Sequence, residues 1–233
     1  MTLSSTFSAN RARPATPPVQ TKVFADGRLS RLDEFKAQSR KPGEASFFFT
    51  DFHFQYDAVK VLPGEYFVSN QDLVIMTVLG SCIAACIWDT KLRVGGMNHF
   101  MLPDGENGDG HGRYGSYAME LLINELIKLG ARRETMQAKI FGGAQVMAGF
   151  TTMNVGERNT SFVRDYLATE RIPVVSQDVL DIHPRKVCFF PVTGRAMVKR
   201  LAHSHPESLA VEERRGNAAI VATSTSGGSV DLF

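Results

Sequence analysis

Between residues 46 and 204 the chain alternates short apolar runs with turns made of glycine, proline and polar residues. Runs of about four to eight β-branched, aromatic and aliphatic residues bounded by such turns are typical of strands. The pattern predicts nine strand segments: 47–54, 58–62, 66–69, 73–79, 94–102, 138–141, 174–176, 186–190 and 196–201. The run 82–88 contains no charged residue and predicts a buried segment.

Two segments have the periodicity of amphipathic helices. Residues 116–129 place Leu and Ile at helical spacing and are followed by Gly130, a common helix end. A second helix is predicted to begin at Asn154, because Asn154 and Glu157 have the spacing of a capping box. The glycine-rich segment 103–113 is predicted to be a loop. This order of strands and helices predicts a single α/β domain of the mixed α+β kind.

The two ends of the chain lack such periodicity. Residues 1–45 are rich in Ser, Thr, Pro, Ala and Arg and contain eight basic and four acidic residues. They are predicted to form a disordered basic tail. Residues 205–233 end in a Ser, Thr and Gly-rich stretch and are predicted to be a flexible tail. The folded domain is therefore predicted to span residues 46–204.

Charge and composition narrow the class of protein. The net charge is +2, and its basic excess lies in the tail, so we expect no nucleic-acid binding. The chain has no apolar run of about 18 residues and no secretory signal, so we expect no membrane insertion. An odd number of cysteines, three, argues against a disulfide framework. We therefore expect a cytoplasmic protein with reduced thiols.

One of the three cysteines follows a strand directly. In the sequence Leu-Gly-Ser-Cys, an apolar strand ends at Gly80, and Ser81 and Cys82 come next. A thiol at the end of a strand is well placed for nucleophilic attack. Gly80 and Ser81 are the candidate oxyanion residues, because the backbone N–H groups around Ser81 and Cys82 could point at the developing negative charge. The alternative is a buried structural thiol, and we expect that role for Cys86 and Cys188.

A thiol nucleophile requires a base, and His99 is the candidate. It follows the glycine pair Gly95-Gly96 and lies in a largely apolar segment. A strand, a turn and a returning strand would bring its imidazole beside Cys82. The alternative is a histidine that hydrogen-bonds within the core. The other histidines lie in polar or terminal segments.

A metal site is the rival interpretation of these residues. Its candidate ligands are Cys82, Cys86, His99 and His111. The Cys-x3-Cys spacing within an apolar run does not match a zinc-binding motif, and no second close pair follows. The glycine pairs fit no phosphate-binding loop. We therefore expect neither a metal nor a cofactor.

Several motifs in one colinear order resemble the chemoreceptor glutamine deamidase (CheD) family. They are Thr-Val-Leu-Gly-Ser-Cys at 77–82, Gly-Met-Asn-His-Phe-Met-Leu-Pro at 96–103, Lys-Ile-Phe-Gly-Gly-Ala at 139–144, Val-Gly-Glu-Arg-Asn at 155–159, and Arg-Lys-Val at 185–187 with Thr-Gly-Arg at 193–195. The interval between Cys82 and His99 also matches the family. The resemblance covers about residues 56–201.

The resemblance implies a fold, a reaction and a set of residues. The implied fold is a sandwich of mixed β-sheets with two main packing helices, similar to toxin-type cysteine deamidases. The implied catalytic residues are Cys82 as nucleophile, His99 as general base and acid, and Thr77 as the group that orients His99. The implied reaction converts glutamine side chains of methyl-accepting chemotaxis receptors to glutamate and ammonia, and it makes residues 46–204 a deamidase catalytic domain.

Two alternatives stay open at this point. The same thiol and imidazole would serve a cysteine protease or a transglutaminase. The chain could instead be a non-catalytic chemotaxis adaptor that binds receptors or a CheC-type phosphatase, a partnership that the resemblance also implies. Release of ammonia without chain cleavage or amine incorporation separates the deamidase from each of these.

Overall fold

The computed structural model describes residues 31–102, 108–145 and 155–202. Residues 1–30 of the predicted N-terminal tail (1–45) and the predicted C-terminal tail (205–233) lie outside these ranges, and for them the prediction stays a prediction. Residues 31–45 differ from the predicted disordered tail. Helix α1 (Arg31–Ala37) is formed there, and Phe35 stacks on Phe48 with ring centroids 5.5 Å apart. Because a buried aromatic ring contributes a large apolar area, this contact orders the segment, and the folded part begins before residue 46.

The described residues form ten strands and two further helices. The strands are β1 (Phe47–Asp51), β2 (Tyr56–Lys60), β3 (Tyr66–Ser69), β4 (Val74–Leu79), β5 (Ile83–Asp89), β6 (Val94–Asn98), β7 (Met136–Gly142), β8 (Val174–Val179), β9 (Arg185–Phe190) and β10 (Arg195–Arg200), and the helices are α2 (Gly108–Lys128) and α3 (Val155–Thr169). Each predicted strand segment overlaps one of these strands, and the predicted buried run forms β5. The predicted mixed α/β class is confirmed.

The strands are arranged in two five-stranded sheets. The first has the order β1-β2-β4-β9-β10, and the second has the order β3-β6-β5-β7-β8. Both sheets are mixed, because β2 pairs parallel with β4 and β7 pairs parallel with β8 while their other pairs are antiparallel. Helices α2 and α3 pack on the second sheet. The sandwich with two main packing helices is thus as predicted.

Strand β5 lies at the centre of the second sheet and is buried along its whole length. Successive side chains of a strand point to opposite faces. Ala84 and Cys86 face the first sheet, in one cluster with Ile75, whereas Ile83 and Ala85 face the helices. A strand with both faces covered needs apolar side chains at every position, which explains why this run contains no charged residue before Asp89.

Helix α2 is longer than predicted. It begins at Gly108, within the segment predicted as a loop, and not at residue 116. Its apolar face is buried against the second sheet through Met119, Leu122 and Ile123. Once that face is docked, each added residue of a helix gains a backbone hydrogen bond, and the cost of about 1 kcal/mol per glycine is tolerated. Helix α3 agrees with the prediction, although its expected cap, Asn154, lies outside the described residues.

Candidate active site

Cys82 lies where the chain crosses from one sheet to the other. Strand β4 of the first sheet ends at Leu79, and β5 of the second sheet begins at Ile83, so Gly80, Ser81 and Cys82 form the whole connection. The Cys82 side chain is buried and faces the space between the sheets, in the same cluster as Leu79. The crossing therefore places the predicted nucleophile and the two predicted oxyanion residues side by side.

All three peptide carbonyls of this connection accept hydrogen bonds. The N–H of Ala144 donates to the Gly80 oxygen, and the N–H of Gly143 donates to the Cys82 oxygen, both at 2.8 Å. The side-chain amide of Asn159 donates to the Ser81 oxygen at 2.9 Å. All three backbone acceptors of this short turn therefore have partners, although the turn has no regular secondary structure.

The approach of the 142–144 segment to Cys82 requires a glycine. Gly142 has φ of +111°, in the region that favours glycine. A β-carbon built on Gly142 would lie 2.1 Å from the Cys82 carbonyl oxygen. No real β-carbon approaches an oxygen so closely, so any other residue would push this segment away from the connection. The glycine pair that fitted no phosphate loop thus supports the backbone of the candidate nucleophile.

His99 reaches the same space from the neighbouring strand. It follows β6, and the next residue, Phe100, forms an antiparallel bridge with Ile83, in which each N–H donates to the other's carbonyl at 2.9 Å. Cys82 and His99 therefore immediately precede two directly paired residues. In antiparallel pairing such residues are diagonal neighbours with side chains on one face, about 7–8 Å apart at their α-carbons.

Thr77 joins the site from the first sheet. Its Oγ1 donates a hydrogen bond to the carbonyl of Val61 at 2.8 Å and lies 2.9 Å from His99 Nδ1. A hydroxyl has one proton, and here the Val61 carbonyl receives it, so Oγ1 accepts a hydrogen bond from Nδ1–H. The network therefore places a proton on Nδ1, and when the ring is neutral Nε2 is the basic nitrogen.

The imidazole is held by its main chain as well. The N–H of His99 donates to the Glu65 carbonyl at 2.9 Å, and the N–H of Gly64 donates to the His99 carbonyl at 2.6 Å. Both His99 and Thr77 are buried, with 2% of their surface exposed. A buried ring fixed at its backbone and at Nδ1 keeps one orientation, which is what proton transfer at Nε2 requires.

The other two thiols have different surroundings. Cys86 lies fully buried in β5, and this burial raises the pKa of its thiol well above the usual range, although Lys139 opposes the effect. Burial also raises the pKa of Cys188, where Lys186 lowers it and Asp51 adds to the increase. Thiols with raised pKa remain protonated and unreactive near neutral pH. The expected burial of Cys86 and Cys188 is confirmed.

Two residues near Cys82 were not predicted from the sequence. Burial raises the pKa of Tyr114 on α2 to about 12, and the charge of an ionised Cys82 adds to the effect, which places the phenol within electrostatic range of the thiol. The second is Asn159, which is completely buried. It precedes Val163 and Leu167 at intervals of four, so a polar residue on the apolar face of a predicted helix was the available signal.

The structure shows no cluster of candidate metal ligands in the part of the chain that it describes. There, no three His, Cys, Asp or Glu side chains converge as ligands of a metal ion would. The side chain of His111, one of the candidate ligands, lies outside that part. Likewise, no helix within the described ranges has both the length and the apolar character needed to cross a bilayer.

A buried thiol on the same face of the sheet as an imidazole whose Nδ1 is hydrogen-bonded is an arrangement that amide hydrolases with a cysteine nucleophile use. The family described as CheD chemotactic sensory transduction matches residues 101–200. The chain is 81% identical over 215 residues to a probable chemoreceptor glutamine deamidase CheD 1 of Albidiferax ferrireducens, and the alignment covers 92% of each protein. The chain belongs to the CheD family.

A more distant relative agrees. A probable chemoreceptor glutamine deamidase CheD of Thiobacillus denitrificans is 53% identical over 188 residues, which are 78% of this chain and 93% of the relative. Among solved structures, the hypothetical protein YfiH of Bacillus licheniformis covers 50% of the chain with 11% identity and a TM-score of 0.33. Similarity that low adds nothing to the assignment, which rests on the sequence relatives.

Proposed function

We propose that this protein is a glutamine deamidase, with Cys82 as its nucleophile and His99 as its general base and acid. It hydrolyses glutamine side-chain amides of methyl-accepting chemotaxis receptors. The observation that supports this most directly is the hydrogen bond between Thr77 Oγ1 and His99 Nδ1. It leaves Nε2 as the basic nitrogen on the buried face that His99 shares with Cys82. Membership in the CheD family supplies the reaction and the substrate.

Acylation follows from this arrangement. Nε2 of His99 takes the thiol proton of Cys82, and the thiolate attacks the carbon of the glutamine carboxamide. Backbone N–H groups of the Gly80–Ser81–Cys82 connection stabilise the negative oxygen of the tetrahedral intermediate. When the intermediate collapses, the carbon–nitrogen bond breaks, protonated His99 returns its proton to the leaving nitrogen, and ammonia departs. A thioester on Cys82 remains.

Deacylation uses the same residues with water as nucleophile. His99 takes a proton from water as the oxygen attacks the thioester carbon, and it then protonates the departing sulfur of Cys82. The sum is glutamine plus water giving glutamate plus ammonia, with the enzyme restored. Thr77 orients the imidazole throughout. Since a hydroxyl is neutral, Thr77 stabilises the imidazolium less than a carboxylate would, and its main contribution is orientation.

The substrate is a protein and not a free amino acid. We propose that the cytoplasmic helices of chemotaxis receptors present their glutamines to this site, and that the protein acts in the cytoplasm. Each conversion replaces a neutral amide with a carboxylate, which adds one negative charge to the receptor surface. A CheC-type phosphatase is a further proposed partner.

The decisive experiment is mass spectrometry of a receptor cytoplasmic fragment incubated with the full-length protein. We expect glutamine peptides to gain the mass difference between an amide and an acid, with release of ammonia and no chain cleavage. Cleaved chains would indicate a protease, and incorporation of an added amine would indicate a transglutaminase. Binding of the fragment without any mass change would favour the adaptor.

The control is Cys82→Ala. We expect it to bind the fragment and to leave its glutamines intact. Unchanged conversion by this variant would refute Cys82 as the nucleophile, and no conversion by the wild-type protein would refute the proposed activity.

A further inference from the structure

We propose that Asn159 is a positioning residue that aims the backbone N–H of Cys82 at the developing oxyanion. This inference rests on the proposed deamidase function. Asn159 donates a hydrogen bond from its side chain to the carbonyl of Ser81, which belongs to the same peptide unit as that N–H. The test below separates failure of this inference from failure of the proposed function.

The first support is that both ends of the Asn159 amide are used within the site. Nδ2 donates to the Ser81 oxygen at 2.9 Å, and Oδ1 accepts from the N–H of Leu102 at 3.0 Å. Ser81 directly precedes Cys82, and Leu102 follows His99 by three residues. One side chain of α3 therefore connects the segment of the nucleophile with the segment of the base. A buried amide is costly unless it is hydrogen-bonded in this way.

The second support is the geometry of the peptide unit. The described residues contain no cis peptide bond, so the Ser81 carbonyl and the Cys82 N–H point in opposite directions. A hydrogen bond that fixes the carbonyl toward α3 thereby fixes the N–H away from α3. It also polarises the peptide, which makes the N–H a stronger donor to a negative oxygen.

The third support is the close packing of α3 against this connection. A β-carbon built on Gly156, in the first turn of α3, would lie 2.2 Å from the Gly143 carbonyl oxygen. Gly143 in turn donates its N–H to the Cys82 carbonyl. Asn159 comes three residues after Gly156, nearly one helical turn later, so it projects from the same region of the helix. The glycine contact holds the helix at the distance that the amide needs.

A second buried asparagine provides a matched control. Asn98 of β6 is 1% exposed, accepts from the N–H of Ala85 at 3.0 Å and donates to the carbonyl of Ala118 at 3.1 Å. It also links a strand to a helix, but neither of its backbone partners belongs to the Gly80–Cys82 connection. Removal of Asn98 therefore tests the loss of a buried amide without the loss of the contact to the nucleophile's peptide.

The experiment compares two reactions of the same thiol. Alkylation of Cys82 by iodoacetamide needs the thiolate but forms no oxyanion, whereas deamidation needs both. For Asn159→Ala we expect kcat for deamidation of the receptor fragment to fall about 100-fold, the loss typical of an oxyanion donor, with little change in KM. The alkylation rate of Cys82 and its pH profile should stay close to those of the wild type. Asn98→Ala should keep its kcat.

If the Asn159→Ala variant does not fold, Asn159→Asp replaces it in the same test. It keeps the shape of the side chain and an acceptor for Leu102, and it loses the donor to Ser81 when ionised. We expect a low kcat near neutral pH, and a ratio to the wild-type kcat that rises as the pH is lowered, because a protonated carboxyl regains an O–H donor.

Two results would overturn the inference: wild-type kcat in a folded Asn159 variant, or deamidation and alkylation falling in parallel. Failure of the proposed function would give a different result: the wild-type protein would be alkylated at Cys82 but would not deamidate the fragment.

Discussion

The two ends of strand β5 are both rich in hydrogen bonds, but the bonds engage different groups. At the far end the Asp89 side chain accepts from the N–H groups of Lys91, Leu92 and Arg132 at 2.7, 3.0 and 2.9 Å, and from the Thr135 hydroxyl at 2.5 Å. At the near end, the contacts to the Gly80–Cys82 connection described above hold peptide carbonyls. The first end fixes a side chain, and the second fixes a backbone.

This difference separates a structural group from a candidate reactive one. Burial by itself raises the pKa of Asp89, but its hydrogen bonds outweigh that effect and lower the pKa to about 2. The carboxylate is therefore held in one charge state. At Cys82 the bonds to the carbonyls position the residue without engaging the thiol in them. We expect substitutions at the far end to change stability and those at the near end to change turnover.

The largest effect is expected for Cys82→Ala. Loss of the nucleophile should reduce deamidation by about 10³-fold or more, because residual catalysis then comes from binding and the oxyanion site alone. The matched control is Cys86→Ala, four residues along the same face of β5, which should keep its turnover. Ammonia release measured on both variants, with thermal melts to compare their stability, checks this. An equal loss of turnover in the two variants would show that Cys82 has no catalytic role that Cys86 lacks.

Thr77→Val should have the next largest effect. Valine keeps the shape of the side chain and removes the acceptor for His99 Nδ1, so the ring loses its fixed tautomer and orientation. We expect kcat to fall about 10- to 100-fold with KM nearly unchanged, a part of what general base catalysis contributes. Thr77→Ser, which restores the hydroxyl, should recover most of the activity. Wild-type kcat in the valine variant would show that the hydroxyl has no part in orienting His99.

Asp89→Asn should change stability and leave turnover intact. Because the pKa of Asp89 in the folded protein, about 2, is below its value in the unfolded chain, ionised Asp89 stabilises the fold above about pH 4. That stabilisation, on the order of 2 kcal/mol, is lost as the pH falls from about 4 toward 2. Urea unfolding at several pH values should show the two proteins differing near neutral pH and converging in acid. A difference that persists at the lowest pH would contradict this account.

The smallest effect is expected for Thr135→Val. It removes one of the hydrogen bonds to the Asp89 carboxylate, at a cost of about 1 kcal/mol in the free energy of unfolding. Since this bond acts through Asp89, the cost should nearly disappear in an Asp89→Asn background, as a double-mutant cycle would measure. Deamidation should match the wild type. Additive losses in the double variant would show that Thr135 stabilises the protein by another route.

Much of the fold could be predicted from the sequence, because most strands have a recognisable pattern of apolar residues between turn residues. The apolar runs between turns located nine of the ten strands among the described residues, and the uncharged run that forms β5 was predicted only to be buried. The predicted boundaries that were wrong, the start of α2 and the start of the folded part, are those that depend on tertiary packing. Helix α2 extends through Gly108 because its apolar face is docked on the second sheet, and α1 is ordered because Phe35 stacks on Phe48. Neither contact can be recognised from the hydrophobic pattern of the neighbouring residues.

The candidate site divides in the same way. The sequence by itself determined the residue types: a thiol after Gly80-Ser81, a histidine after a glycine pair, and the colinear motifs that name the family. The resemblance also implied that Thr77 orients His99, and the tertiary structure shows how the two meet, with Thr77 in one sheet and His99 beside the other. Only the tertiary structure decided that Asn159 of α3 holds the Ser81 carbonyl. The physical reason is that local preferences act between neighbours along the chain. Contacts between sheets and helices depend on strand register and packing, which no short stretch of sequence encodes.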